Sequence, residues 1–266
     1  MSKNNKILLL TIFLLLALGV MLFFYLIPQK RNFFHKSFQK TPEPNAQEEP
    51  NIQKKDQTNK NFNTMSRIDL PQPQKNSSIS VEEAIANRRS VRNYSDEPLS
   101  LSSVSQLVWA AQGVTGPDGR KRAAPSAGAL YPLEVYVVAE DLPDLDAGVY
   151  HYLPSSHNLE LVSEGRAMKD LARAALGQMF ISEAPAAIVI TGDYSVTTQK
   201  YGERGKQYVH MEAGHAAENL FLQATSLDLE TVTVGAFQEK ELKELLNIPD
   251  QEIPFYIMPI GKTKKE

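Results

Sequence analysis

Three arginines and a serine are packed into Arg88-Arg89-Ser90-Val91-Arg92, a density of donors that suits a phosphate group. Each guanidinium is a planar fork that matches phosphate oxygens in pairs, and the hydroxyl adds a further donor. The same residues also fit a solvated helix end, where the negative pole of the helix dipole favours cations. A second segment, Ala124-Pro125-Ser126-Ala127-Gly128-Ala129-Leu130-Tyr131-Pro132, sets small residues between two prolines. That composition predicts a rigid turn whose backbone a flat ligand can approach closely, although an ordinary tight connection looks the same. Third, Lys200 and Tyr201 open the stretch Lys200-Tyr201-Gly202-Glu203-Arg204-Gly205, read as a glycine-flanked loop. A lysine beside a tyrosine can act as a proton-transfer pair, or it can simply be solvated. Gly235-Ala236-Phe237 closes an expected strand with a residue that lets a ring come near, and Gly261-Lys262 with Lys264 could add phosphate charge. His215 follows Glu212 at a spacing that can serve a metal, but no third ligand lies near in sequence. A packing role is expected and no metal site.

The rest of the chain limits what these residues can do. There is no cysteine among the 266 residues, which removes thiolate chemistry and disulfides and leaves any redox work to a bound cofactor. A formal net charge of -3 gives no basic footprint for nucleic acid, so none is expected as a partner. The uncharged run from Ile7 to Ile27 has the ~20-residue length with which a helix crosses bilayer hydrocarbon. A single-pass anchor over residues 1–27 and a cell-membrane location are therefore expected. A cleavable signal peptide is the rival reading, but no small-x-small site precedes Pro28. Lys3 and Lys6 on one flank, with Lys30, Arg31, Lys36 and Lys40 on the other, leave the side of the membrane open. Residues 28–79, rich in Asn, Gln, Lys, Glu and Pro, read as a disordered polar linker able to span ~40 Å as a coil.

A folded domain is expected over residues 80–266. Ser80-Val81-Glu82-Glu83 has the form of a capping box opening a short helix to about Arg88, and Ser100 starts a second helix that Gly113 ends. Strands are expected at Leu133 to Ala139, in the hairpin GVYHYL and NLELV, at AAIVITG, near Glu230 to Val234, and at FYIMPIG. Helices are expected over Arg166 to Leu176, about Gln207 to Leu227, and Glu239 to Leu246. Helices and strands mix without regular alternation, which predicts an α+β sandwich with a mainly antiparallel sheet flanked by helices.

Taken in order, RRSVRNY, WAAQG followed by APSAGALYPLEVY, KYGERG, EAGHAAENL and a late VGAF resemble the successive landmarks of the nitroreductase superfamily. The resemblance is strongest to its SagB-type dehydrogenase branch, which includes thiazole and oxazole oxidases of peptide-modifying synthetases, and it runs from about Ser80 to Lys264. It implies a nitroreductase-like FMN-binding fold, a homodimer with the flavin at its interface, and hydride transfer between flavin and a small organic substrate, with NAD(P)H as a possible donor. By the same resemblance, Arg88, Arg89, Ser90 and Arg92 would hold the phosphate and ribityl end, with Lys262 as a second phosphate contact. Pro125, Ser126, Ala127 and Gly128 would line the isoalloxazine ring, Gly235 would lie near its reactive edge, and Lys200 and Tyr201 would take the substrate proton. Oxidation of azolines to azoles in a modified peptide is a narrower alternative, and a tethered module that binds flavin or a partner without turnover is another. In all of these, the guanidinium cage and the small-residue turn should face each other across a slot wide enough for a tricyclic ring. Lys206 departs from the branch, where an aromatic residue is common after KYGERG.

Overall fold

The computed structural model describes residues 67–264. Successive residues of its central strands are buried on alternate sides, as a period of two requires when both faces of a sheet are covered. Val135 and Val137 of β2 (Leu133–Ala139) and Ile188 and Ile190 of β5 (Ala186–Asp193) enter one apolar cluster. Tyr136, Val138, Ala187 and Val189 enter the other. Between them in sequence come β3 (Gly148–Leu153) and β4 (Asn158–Glu164), and β1 (Arg67–Asp69), β6 (Glu230–Thr231) and β7 (Glu252–Gly261) complete a seven-stranded sheet. Its order is β1-β4-β3-β2-β5-β7-β6, and every strand pair is antiparallel.

Helices cover both faces. On the first lie α1 (Val81–Asn87), α2 (Leu101–Gln112) and the apolar stripe of the long helix α5 (Arg204–Ser226). On the second lie α3 (Met168–Ala174) and α6 (Glu239–Leu246), through Leu171, Leu242 and Leu246. The helix starts follow the cap chemistry: Ser80 Oγ accepts from Glu83 N and Ser100 Oγ from Ser103 N, both at 3.1 Å. Gly113 ends α2, its N–H donating to Trp109 O at 2.7 Å.

The α+β class and the antiparallel sheet match the expectation from sequence, and four local features differ. The cell-membrane location is corrected: among the described residues no helix is long and apolar enough to cross a membrane. The run from Ile7 to Ile27, on which that expectation rested, lies outside the described residues, as does the linker up to residue 66. The last part of the expected linker is built into the domain. There, β1 pairs with β4, Leu70 is buried, and Gln106 of α2 clasps Gln74 by accepting from its N–H and donating to its carbonyl. Lys200 and Tyr201 end a helix, α4 (Tyr194–Tyr201), where a loop was expected. Its Ser, Val and Thr residues carry little helix propensity, so the Asp193 cap, accepting from Ser195 N at 2.7 Å, and packing on α5 decide it. Finally, β6 is only two residues long, and Val234 rejoins β7 through an isolated bridge to Ile257.

Candidate functional site

Helix α5 is the spine on which the candidate residues are hung. Its first turn packs under α4 at Gly205, where an added Cβ would lie 2.8 Å from Thr198 N and 2.9 Å from Thr197 C. Those neighbours are backbone and cannot swing aside. Gly205→Ala is therefore expected to destabilise the domain by roughly 1–3 kcal/mol, read as a lowered midpoint of thermal unfolding, and to loosen α4 with its terminal Lys200 and Tyr201.

Those two side chains meet the small-residue turn. Gly128 has φ 65°, in the left-handed region, and a Cβ on it would fall 2.7 Å from the Tyr201 hydroxyl oxygen and 2.8 Å from Lys200 Nζ. The absence of a side chain is thus what lets the ammonium and the phenol close on the turn backbone. The Lys200 ammonium also stands 5.4 Å from the Tyr201 ring centroid, and the Tyr208 ring meets Tyr201 edge-on at 5.2 Å. Ser126 Oγ shapes the turn by accepting from Tyr131 N at 2.9 Å, while Pro125, Gly128 and Ala129 remain exposed.

Beneath the turn lies Glu212, the only ionisable side chain among the buried residues of α5 and 2% exposed. Burial pushes its carboxyl up to about 7, although Ser126, Arg122 and Gln112 all favour the charged form. Its Oε1 and the Nε2 of Gln112 are buried with no hydrogen-bond partner, while Gln112 Oε1 accepts from Arg122 at 3.1 Å. From sequence, Glu212 with His215 was weighed as a metal pair and expected to pack instead; His215 is exposed and outside this cluster. The usable signal was a glutamate standing inside the apolar stripe, between Val209 and Ala216. Because the folded pKa is raised above the ordinary 4.5, the native state holds a proton that the unfolded chain has already lost. Stability contributed by that proton is full below about pH 4.5 and is lost as pH rises to about 7. Over that window the wild type should lose about 3 kcal/mol relative to Glu212→Gln, so unfolding midpoints of the two should diverge with rising pH.

The arginines lie elsewhere. Tyr94 anchors their segment: it is fully buried, and its hydroxyl donates to Val91 O at 2.8 Å. Ser90 bridges to Thr231, and Val91 N donates to Thr231 O at 3.0 Å. The Arg88 guanidinium sits 5.0 Å from the centroid of Phe221, Arg92 stands 5.8 Å from that of Phe180, and Arg89 donates to Ala86 O and Arg88 O. Among the described residues none of the three arginines stands in an ion pair, and all are accessible. The Lys262 ammonium, expected as a second phosphate contact, is paired with Glu97 at 2.7 Å. Lys206 likewise pairs with Glu203 at 2.7 Å.

Register separates the two expected halves of the site. The turn leads into Leu133, which pairs with Gly192, whereas Ser90 joins Thr231, which pairs with Ile260 and through it with Ala186 and Ala139. From Leu133 to Ala139 a strand rises ~20 Å. Along α5, from its start near Tyr201 to Phe221 beneath Arg88, the rise is ~25 Å. Within one chain, therefore, the guanidinium cage and the turn lie toward opposite ends of these elements. Gly235 lies between, a few residues beyond Thr231, in a cavity of about 280 Å³ lined also by His210, Ala213, Phe237, Pro254, Phe255 and Tyr256. A Cβ on Gly235 would meet nothing nearer than Phe255 O at 3.9 Å, so its face is open to a flat ligand. His210, held by the Tyr194 hydroxyl at 2.8 Å, was not foreseen. A larger cavity of about 870 Å³, between the 71–81 segment, α2 and the end of α5, is lined by neither the arginines nor the turn.

Comparison with known proteins defines the class. Residues 85–262 match the nitroreductase family model, more than half of the chain, and the chain belongs to the nitroreductase family, whose members are oxidoreductases. It is 47% identical over 184 residues to MJ1384 of Methanocaldococcus jannaschii, assigned as a nitroreductase, across 69% of this chain and 91% of that one. It is 28% identical to the microcin B17-processing protein McbC of Escherichia coli, across 65% and 66% of the respective chains. Among solved structures, a nitroreductase of Ralstonia eutropha JMP134 superposes with a TM-score of 0.67 at 29% identity, covering 75% of this chain and 90% of that one. The E. coli microcin synthetase McbBCD complex with truncated pro-MccB17 matches with a TM-score of 0.58 at 26% identity, covering 74% and 78%. The resemblance to the SagB-type branch agrees with McbC standing among these relatives.

Proposed function

We propose that this protein is an FMN-dependent oxidoreductase that moves hydride between flavin and a small organic substrate, working as a homodimer. The observation that carries the reading is the convergence of Lys200 Nζ and Tyr201 Oη on Gly128, inside the turn expected to meet the ring. The residues present fit the cofactor. Arg88, Arg89 and Arg92 are accessible and outside any described ion pair, Ser90 adds a hydroxyl, and the open face of Gly235 lies a short stretch of chain beyond their anchor at Thr231. FMN would supply the two-electron chemistry that a chain without cysteine lacks. Lys200 and Tyr201 would exchange the accompanying proton with substrate, while Pro125, Ser126, Ala127 and Gly128 exclude water above the reacting atoms.

The distance between arginines and turn supports the homodimer, because a two-fold related copy can bring its own turn to the flavin gripped by the first. Sizing of the FMN-loaded protein should give a dimer, and a monomer that retains FMN would contradict the shared pocket. NAD(P)H as donor is tested by mixing it anaerobically with the loaded protein: the visible flavin band should bleach and return on adding an acceptor. A band that stays unchanged with every nicotinamide and organic donor tried would favour a binding module without turnover. The relatedness to McbC, together with the adjacent lysine and tyrosine, favours azoline-to-azole oxidation on a modified peptide as a second reading. A synthetic thiazoline peptide losing two mass units tests it directly.

A further inference from the structure

We infer that the cavity of about 280 Å³ beside Gly235 is a recognition subsite for a flat, carbonyl-bearing substrate, and that His210 selects for the carbonyl by donating to it from Nδ1. This deepens the flavin reading above and rests on it for the reaction that the substrate undergoes. A β-bulge builds the aromatic wall of the cavity. Ile190 of β5 pairs with Tyr256 of β7 and Thr191 with Pro254, so Phe255 is the extra residue. Side chains alternate between faces along a regular strand, but across this bulge Phe255 and Tyr256 both pack on the apolar cluster of the first face. Glu252 pins the chain just before the bulge, accepting from Thr191 Oγ1 at 2.6 Å and from the Tyr136 hydroxyl at 3.1 and 3.2 Å. Gly192 makes the room, since a Cβ there would lie 2.9 Å from the Phe255 ring.

The bulge brings Phe255 edge-on to His210 at 5.0 Å and to within 5.8 Å of Tyr194, ring centre to ring centre. Tyr194 and His210 stand on α4 and α5, the two helices that also carry Lys200, Tyr201 and Tyr208. Phe221, beneath Arg88, lies ~16 Å further along α5, so the cavity is on the proton-transfer side of Gly235 and away from the arginines. The imidazole is oriented as well as placed. Its Nε2 meets the Tyr194 hydroxyl at 2.8 Å, and Nδ1 makes no hydrogen bond among the described residues. A phenol O–H is a better donor than a neutral imidazole N–H, so Tyr194 donates to Nε2 and the ring carries its proton on Nδ1. An unpartnered N–H beside aromatic faces suits an oxygen borne by a flat ring: the ring packs and the oxygen accepts. Drug-sized ligands occupy about 300–1,000 Å³, so a cavity of this size takes a single ring with its substituent.

The test is calorimetric titration of benzamide, and of toluene as a ring without the carbonyl, into FMN-loaded full-length protein. Both compounds are neutral, so the arginines do not compete for them. Wild type should bind benzamide the more tightly. His210→Phe keeps an aromatic ring against Phe255 and removes both nitrogens. It should bind benzamide about three- to tenfold more weakly, the range for one neutral hydrogen bond, and toluene equally well. Tyr194→Phe releases the imidazole and should weaken benzamide by a smaller factor. No benzamide binding by wild type, equal benzamide affinity in His210→Phe, or parallel loss of both compounds overturns the proposal. Where His210→Phe does not fold, unchanged benzamide affinity in Tyr194→Phe overturns it instead. Benzamide binding that FMN loading abolishes also overturns it, because the cavity then belongs to the flavin ring. If the protein takes up no FMN, the flavin reading falls, and the same titrations on the flavin-free chain decide the subsite by itself.

Discussion

Lys200→Ala is expected to lower substrate-dependent turnover by roughly 10²–10⁴-fold, the usual range for losing a general acid–base group. FMN content should not change. The reason lies in the geometry at Gly128, where an ammonium and a phenol share space that any side chain on the turn would fill. Removing the ammonium leaves the arginine segment untouched, because Ser90 and Phe221, which anchor it, lie at the other end of the sheet and of α5. Tyr201→Phe keeps the ring against Tyr208 but deletes the hydroxyl, so it should reduce turnover while preserving stability. Rapid-mixing measurement of flavin reduction and reoxidation checks both variants. Full turnover in Lys200→Ala would remove this residue from the chemistry.

Replacing Arg88 and Arg92 together with alanine should cost FMN at least about a hundredfold in affinity, since each charge-assisted hydrogen bond contributes ~1.5–3 kcal/mol. Riboflavin, which lacks the phosphate, should bind wild type and the double variant almost equally. Such a contrast separates loss of a phosphate contact from general damage to the domain. Truncating Arg88 also uncovers the Phe221 ring, so the unfolding midpoint should be followed in parallel. Equal FMN affinity in the double variant would mean that the arginines serve only as a solvated helix end.

Much of the fold was legible because patterning and packing agree. Leu133 to Ala139 and Ala186 to Asp193 are runs too apolar for a half-exposed sheet, and both prove covered on two faces. Ser80, Ser100 and Gly113 marked helix ends through local chemistry that needs no tertiary partner. Tyr194 to Tyr201 failed as a sequence prediction because its helicity comes from contact with α5, which local propensity does not contain. Arg67 to Asp69 failed for the same reason, as a three-residue edge strand exists only by pairing with β4.

The site was legible in its residue types more than in its arrangement. Short motifs named Arg88, Gly128, Lys200, Tyr201 and Gly235, but the distance between the first and the next three is set by strand register and by the length of α5. No spacing within a motif encodes that. The pairing of Lys262 with Glu97 could not be read from a motif, because the two are remote in sequence. Glu212 was weighed only together with His215, because its burial arises from tertiary packing that no local spacing shows.

The central claim is that guanidiniums of the Arg88 to Arg92 segment and the Gly235 strand end hold a flavin mononucleotide. Its most direct test is to denature the purified full-length protein, identify the released chromophore by mass, and count it per copy. The protein should be yellow and release FMN, one for each chain. A colourless preparation that refuses FMN on reconstitution, or a chromophore without a phosphate, would contradict it.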